Sequence, residues 1–193
     1  MPRPREFDLD MALDQAMQVF WAKGYEATSL GDLTDAMGVS RSSFYQAFGS
    51  KHDLYLSALD RYGDLSVSRL ETQLDCGATV RNAIASVFDA LIDRAMAPDG
   101  NCGCLLGNTA VERARHDPEA QVRVTAALDR IERAYREAVQ RGQARGEIAA
   151  DRDAGALARY FVSSANGLQV IAKARPDRQV LEDIKQTVLS ILH

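Results

Sequence analysis

The sequence predicts an all-α protein of about nine helices, with an N-terminal three-helix unit built around a helix-turn-helix and a larger helical C-terminal unit. Three observations carry this. Apolar residues recur at three- and four-residue steps along most of the 193 residues, and no stretch alternates as a strand would. Glycine and proline fall where those stripes stop, and Ser or Asp falls where they begin. Between Ser29 and Phe48, the segment SLGDLTDAMGVSRSSFYQAF reads as two short helices meeting at Met37-Gly38-Val39. A hydrophobic content of 46% is enough to bury a core in a chain this long.

The first helix is expected over residues 9–23, with Leu9, Leu13, Ala16, Met17 and Phe20 on one stripe and Gly24 at its end. Ser29, with Asp32 three residues on, opens the second like a capping box, and Leu30, Leu33, Ala36 and Met37 face inward. Gly38 supplies the turn. Ser40 is the natural N-cap of the third helix, in which Phe44, Ala47 and Phe48 face the core and Arg41, Ser42, Ser43, Tyr45 and Gln46 stay outside. Ser50 and Asp53 repeat the cap before a helix over 51–74, whose inward face includes Leu54, Leu59, Tyr62 and Leu65. Further helices fit 79–97, then a short one to about residue 114, after a turn at Pro98-Asp99-Gly100 and the element Asn101-Cys102-Gly103-Cys104. Pro118 starts a long amphipathic helix that Gly142 and Gly146 close. The last two, over 153–174 and 177–192, are split by Pro176 and are apolar on more than one face. Two apolar faces need two partners, so a second copy of the chain is expected to pair here in a four-helix bundle; the alternative is a pair wrapped by its own domain. The division expected is 1–52 and 53–193.

Charge narrows the options. The formal net charge is −4, and the first sixty residues hold five Lys/Arg against nine Asp/Glu, so no uniformly basic surface exists. Contact with nucleic acid requires a few cations gathered on one face. Arg3 and Arg5 on an N-terminal arm, Arg41 and Lys51 are placed for that. The N-terminus, MPRPREFDLD, has basic residues and no apolar run behind them, so no signal peptide is expected. No run approaches the ~20 apolar residues of a membrane span, and the expected location is the cytoplasm. Three cysteines do not suggest a disulfide framework.

The ordered elements Gly24-Tyr25, Thr28-Ser29, Gly38-Val39-Ser40, Tyr45-x-x-Phe48 and Ser50-Lys51 resemble the DNA-binding domain of TetR-family transcriptional repressors, most densely from Leu13 to Leu54. The rest is similar only in its helical layout. Trp21, large for its place before a helix end, departs from the pattern and reads as packing. The resemblance implies that the third helix enters the major groove of a palindromic operator and that the chain works as a homodimer through its last two helices. The candidate DNA contacts are Thr28, Ser29, Ser40, Arg41, Ser42, Ser43, Tyr45, Gln46 and Lys51. Arg41 suits a guanine edge or a phosphate, Gln46 an adenine, and Ser42 and Ser43 phosphates or base edges. Tyr45 and Lys51 resemble the family's phosphate contacts. Thr28 and the N-terminus of the second helix suit another phosphate through backbone N–H groups.

The resemblance also implies a small-molecule effector in the C-terminal unit, which shifts the equilibrium by its differential affinity for the conformer that cannot bind DNA. Candidate walls are Tyr62, Phe88, Leu91, Leu105, Leu106, Asn108, Tyr135, Phe161, Asn166 and Gln169, and a small, fairly apolar molecule is expected. Cys102 and Cys104 sit at or before a helix start, where the dipole and free N–H groups favour thiolate, with Lys173 or Arg175 as possible added charge. GCLLGNTAVE resembles a branch of the family in which such a cysteine acts as a sensor, so an oxidant- or electrophile-triggered repressor is the alternative. Packing as a small hydrophobe is the other reading of these thiols. No cofactor and no metal are expected, since two thiols and His116 make an incomplete ligand set. Scattered histidines and the lack of a phosphate loop or nucleophile elbow argue against an enzyme.

Overall fold

The computed structural model describes residues 7–97 and 102–192. Arg3 and Arg5, the turn at Pro98-Asp99-Gly100, Asn101 and His193 lie outside them. Among the described residues there are nine α-helices and no strand: α1 (Leu9–Lys23), α2 (Leu30–Met37), α3 (Arg41–Phe48), α4 (Lys51–Asp75), α5 (Val80–Met96), α6 (Leu105–Glu112), α7 (Pro118–Ala144), α8 (Ala154–Ala174) and α9 (Arg178–Ser190). Eight of the nine are capped by the side-chain oxygen of a Ser, Thr or Asp, which accepts an N–H of the first turn; α6 is capped by the sulfur of Cys104.

The apolar stripes sort into two clusters. One joins Ala16, Phe20, Leu33, Phe44, Leu54 and Tyr55 to Leu105, Leu106, Ala120 and Val124. The head (α1 to α3) therefore shares its core with α4, α6 and α7. The other holds Ile84, Phe88, Ile92, Tyr135, Phe161, Leu168, Leu181 and Val188 from α5 and α7 to α9. Helix α4 serves both clusters and packs most extensively on α7. Gly63 permits this: a Cβ there would stand 3.1 Å from Ala127 Cβ.

Three expected positions differ. Ala36 and Leu65 are exposed, on the outer sides of short stripes. Gly142 does not end α7 but lies inside it, because a Cβ there would come within 2.9 Å of Val80 and 3.0 Å of Ile148. Gly146, at φ 71°, is the stop.

One polar cluster fastens head to body. Asp117, 5% exposed, caps α7 by accepting the Ala120 N–H at 3.0 Å through Oδ1. Its Oδ2 accepts from Arg113 at 3.0 and 3.2 Å and lies 3.0 Å from His52 Nε2 on α4. Arg113 also pairs with Glu26 and lies 3.9 Å from the centre of the Tyr25 ring. Burial would raise the Asp117 carboxyl, but the Ala120 N–H, Arg113 and His52 together hold it below its ordinary value of 3.8.

A depressed carboxylate stabilises the fold above its unfolded pKa, and that contribution is lost as pH falls through the folded value. Asp117→Asn is accordingly expected to destabilise by about 1.5–3 kcal/mol at pH 7, the range for hydrogen bonds to a charged group. The gap between the two proteins should narrow as pH drops below 3.8. Urea unfolding at fixed protein concentration, at pH 7 and pH 3.5, measures both.

Candidate nucleic-acid interface and ligand cavity

The turn between α2 and α3 rests on Gly38, whose φ of 65° is open to glycine at no steric cost and whose N–H returns to the Thr34 and Asp35 carbonyls. Ser40 then caps α3: its Oγ accepts the Ser43 N–H at 3.1 Å and lies 2.9 Å from Ser43 Oγ. Phe44 is fully buried and anchors the helix, with the Tyr45 ring edge-on to it at 5.4 Å. With Phe44 inward, Arg41, Ser42, Tyr45 and Gln46 are all exposed on the outer face, and Ser43 is half-buried. Lys51 stands at the start of α4, its Nζ 4.2 Å from the centre of the Tyr25 ring.

Thr28 falls outside this face. It is 1% exposed, and its hydroxyl donates to the Gly24 carbonyl at 2.6 Å. The start of α2 is also taken: Ser29 N–H and hydroxyl donate to Asp32 Oδ2 at 2.8 and 2.7 Å, and Asp32 pairs with Lys23 at 2.5 Å. The Lys23 and Ser29 hydrogen bonds hold the Asp32 carboxyl well below its usual range. A carboxylate already fills the position that a phosphate would occupy.

In the body, a cavity of about 110 Å³ lies among α4 to α8. Six of the expected wall residues line it: Tyr62, Leu91, Leu106, Tyr135, Asn166 and Gln169. Phe88, Phe161 and Leu105 do not; at 0–2% exposure they are core, and large apolar residues look alike in sequence whether they face a cavity or a neighbour. Asn108 lines a separate open cleft next to the head, together with Trp21, Gly103 and Lys173. Ser66, Arg69, Gln73 and Arg94 are cavity residues outside the expected set. Their polar spacing on α4 and α5 is that of a solvated face. On the cavity wall, Asn166 Nδ2 donates to the Val162 carbonyl at 2.9 Å, while its Oδ1 is fully buried without a partner among the described residues.

Cys104 borders both the cavity and the cleft. Its Sγ accepts the Gly107 N–H at 3.4 Å. The helix start does not make it a ready thiolate. Burial pushes the thiol up, against the opposing N–H groups of Gly107 and Leu106, the Tyr62 hydroxyl and the Arg94 charge. That charge comes from Arg94; Lys173 packs beside Gly103, and Arg175 lies 3.8 Å from Asp177. Cys102 is half-buried and Cys76 exposed, and all three thiols are free.

Trp21 does more than pack. Its indole N–H donates to the Gly103 carbonyl at 3.0 Å, its ring meets Tyr62 edge-on at 5.1 Å, and Arg94 Cζ lies 5.5 Å from the ring centre. The end of α1 is thus tied to the cavity wall.

Residues 12–58 match the family described as bacterial regulatory proteins, tetR family, and residues 81–188 match tetracyclin repressor-like C-terminal domains. The uncharacterized HTH-type transcriptional regulator YezE of Bacillus subtilis (strain 168) is 34% identical over 193 residues, the whole of both chains. The HTH-type transcriptional repressor ComR of Escherichia coli (strain K12) is 33% identical over 190 residues, 98% of this chain and 90% of ComR. Among solved structures, a cysteine mutant of the TetR family transcriptional regulator CifR, complexed with a 26 bp double-strand operator DNA, superposes with a TM-score of 0.87 at 34% identity and covers 97% of this chain and 98% of its own.

The burial of Cys104 sets a reactivity order. At pH 7.5 iodoacetamide is expected to label exposed Cys76 at least about tenfold faster than Cys104, as read by peptide mass spectrometry over time. Equal rates would mean that the helix start outweighs burial.

Proposed function

The chain belongs to the TetR family of bacterial regulatory proteins and is a helix-turn-helix transcriptional regulator; on that premise we propose that it is a repressor, released from its operator when a small effector fills the cavity behind α6. The observation that carries the reading is the pairing of an exposed polar α3 with a cavity whose wall residues Tyr62 and Arg94 pack against Trp21 of the same head. Arg41, Ser42, Tyr45 and Gln46 would face the major groove, and Lys51 and Ser43 would reach phosphates. The double-stranded DNA partner is palindromic in this reading, because two copies present two α3 helices.

The second copy docks on α8 and α9. Val170 and Ile171 are 65% and 41% exposed, beside a shallow groove that Tyr160, Val180 and Ile184 help to line. An apolar face of this kind supports the homodimer expected of the family. If an effector changes the spacing of the two α3 helices from the ~34 Å between successive major grooves, affinity falls. The protein would work in the cytoplasm as a regulator and not as a catalyst. No helix of the described residues is long and apolar enough to cross a membrane.

The position of Cys104 on the cavity wall supports a second reading, in which an electrophile entering the cavity alkylates the thiol. Its raised pKa makes this the weaker route. Cys104→Ser separates the two: release by small non-reactive compounds survives it, and release by electrophiles does not.

Arg41→Ala is expected to weaken binding to a palindromic fragment from the protein's own promoter region by about 1–3 kcal/mol, roughly 5- to 150-fold, without changing the dimer. Fluorescence anisotropy and size-exclusion chromatography test the two halves of that statement. Wild-type affinity would remove Arg41 from the interface.

A further inference from the structure

The chain has more acid than base, 27 Asp/Glu to 23 Lys/Arg, and cations near its body helices mostly find a carboxylate. Arg61 meets Asp14 at 2.9 Å, Arg130 meets Asp64 at 2.6 Å, and Lys185 meets Asp89 and Glu182 at 2.5 Å. The cavity breaks this pattern. Arg69 and Arg94 both line it, no Asp or Glu does, and neither arginine has a carboxylate partner among the described residues. Arg94 is half-buried, and burial together with the Arg69 charge pulls its guanidinium below the ordinary value. The Trp21 ring beside it offers attraction but no counter-charge. Tyr135, 2% exposed, also lines the cavity, and its hydroxyl has no hydrogen-bond partner among the described residues.

A site with two positive charges, an idle hydroxyl donor and no acid is short of one negative group. We propose that the cavity takes a small organic carboxylate, with Arg94 as its main partner, Arg69 as the second and the Tyr135 hydroxyl as a supporting donor. The forked guanidinium matches a carboxylate in two parallel hydrogen bonds. Leu91, Leu106 and Ile131 supply the apolar wall for the carbon part. A volume of about 110 Å³ is of the order of cavities that admit a single benzene ring, so the ligand is small. This narrows the small, fairly apolar molecule that the sequence suggests to one that carries a carboxylate. The inference rests on the cavity being the effector site. It also supplies a route to the head, since the anion competes with the Trp21 ring for Arg94.

Trp21 is the only tryptophan of the chain, so binding reads out on its emission. The full-length protein would be titrated with acetate, butyrate, benzoate and phenylacetate, each paired with its primary amide, exciting at the red edge of the tryptophan band, with calorimetry in parallel. At least one acid is expected to bind about tenfold or more tighter than its amide, and Arg94→Gln to remove that preference. Arg130→Gln, which disturbs a surface pair with Asp64, neither residue of which lines the cavity, should leave it intact. Circular dichroism melts establish that each variant is folded, and Arg69→Gln, at an exposed position, serves if Arg94→Gln is not. Equal binding of acid and amide, no binding of any acid up to about 10 mM, or a preference that survives both arginine substitutions would each overturn the proposal. DNA binding measured on the same samples keeps the two readings apart. If the promoter fragment is bound and neutral compounds release it while acids do nothing, only the carboxylate inference fails. If no DNA is bound, the regulator reading itself fails.

Discussion

The buried carboxylate of Asp117 holds the reading head against the body, and much of the remaining geometry follows from it. One oxygen closes the first turn of α7; the other gathers Arg113 and His52. Through Arg113 the bond reaches Tyr25 and Glu26, ahead of α2. Through His52 it reaches the first turn of α4, one residue beyond Lys51. Losing that charge would leave Arg113 and His52 facing each other without a mediator, a costly state for a half-buried cluster.

Helix α6 is held from both ends. Its C-terminal end leads into Arg113 and the Asp117 cluster. Its N-terminal end is the Cys104 cap, next to the Gly103 carbonyl that accepts from Trp21. A helix of eight residues is only about 12 Å long, so a change at the cavity wall and a change at the head are separated by two turns. The weaker of the two fixings is at the cavity: a sulfur acceptor at 3.4 Å in place of the oxygen caps used by every other helix. Motion of α6 should therefore start at its cavity end.

The head was legible in the sequence because its signals are local. Ser29, Gly38, Ser40 and Ser50 act on N–H groups within a few residues of themselves, and spacing alone reveals them. The cavity was not, because it depends on which faces of five helices meet. Phe88 and Phe161 look like walls yet fill the core, while Arg94 looks solvated yet is half-buried on the cavity wall. Thr28 shows the same limit inside the head: its hydroxyl turns back to Gly24, a contact fixed by the path of the chain between α1 and α2. Gly142 was misleading for a related reason. Glycine ends many helices, but here the missing Cβ makes room for Val80 and Ile148.

The unbroken course of α4 has a mechanical consequence. It starts at Lys51, two residues after the α3 C-cap, and passes Tyr62, Ser66 and Arg69 on the cavity before ending at Asp75. Twenty-five residues make a rod about 37 Å long. If that rod tilts by ~5° about its far end, Lys51 swings through roughly 3 Å, close to the 3.4 Å rise of one base pair. Two such rods swinging apart in a dimer would put the reading helices nearly two base pairs out of step. A ligand small enough for the cavity needs only to tip a lever of that length.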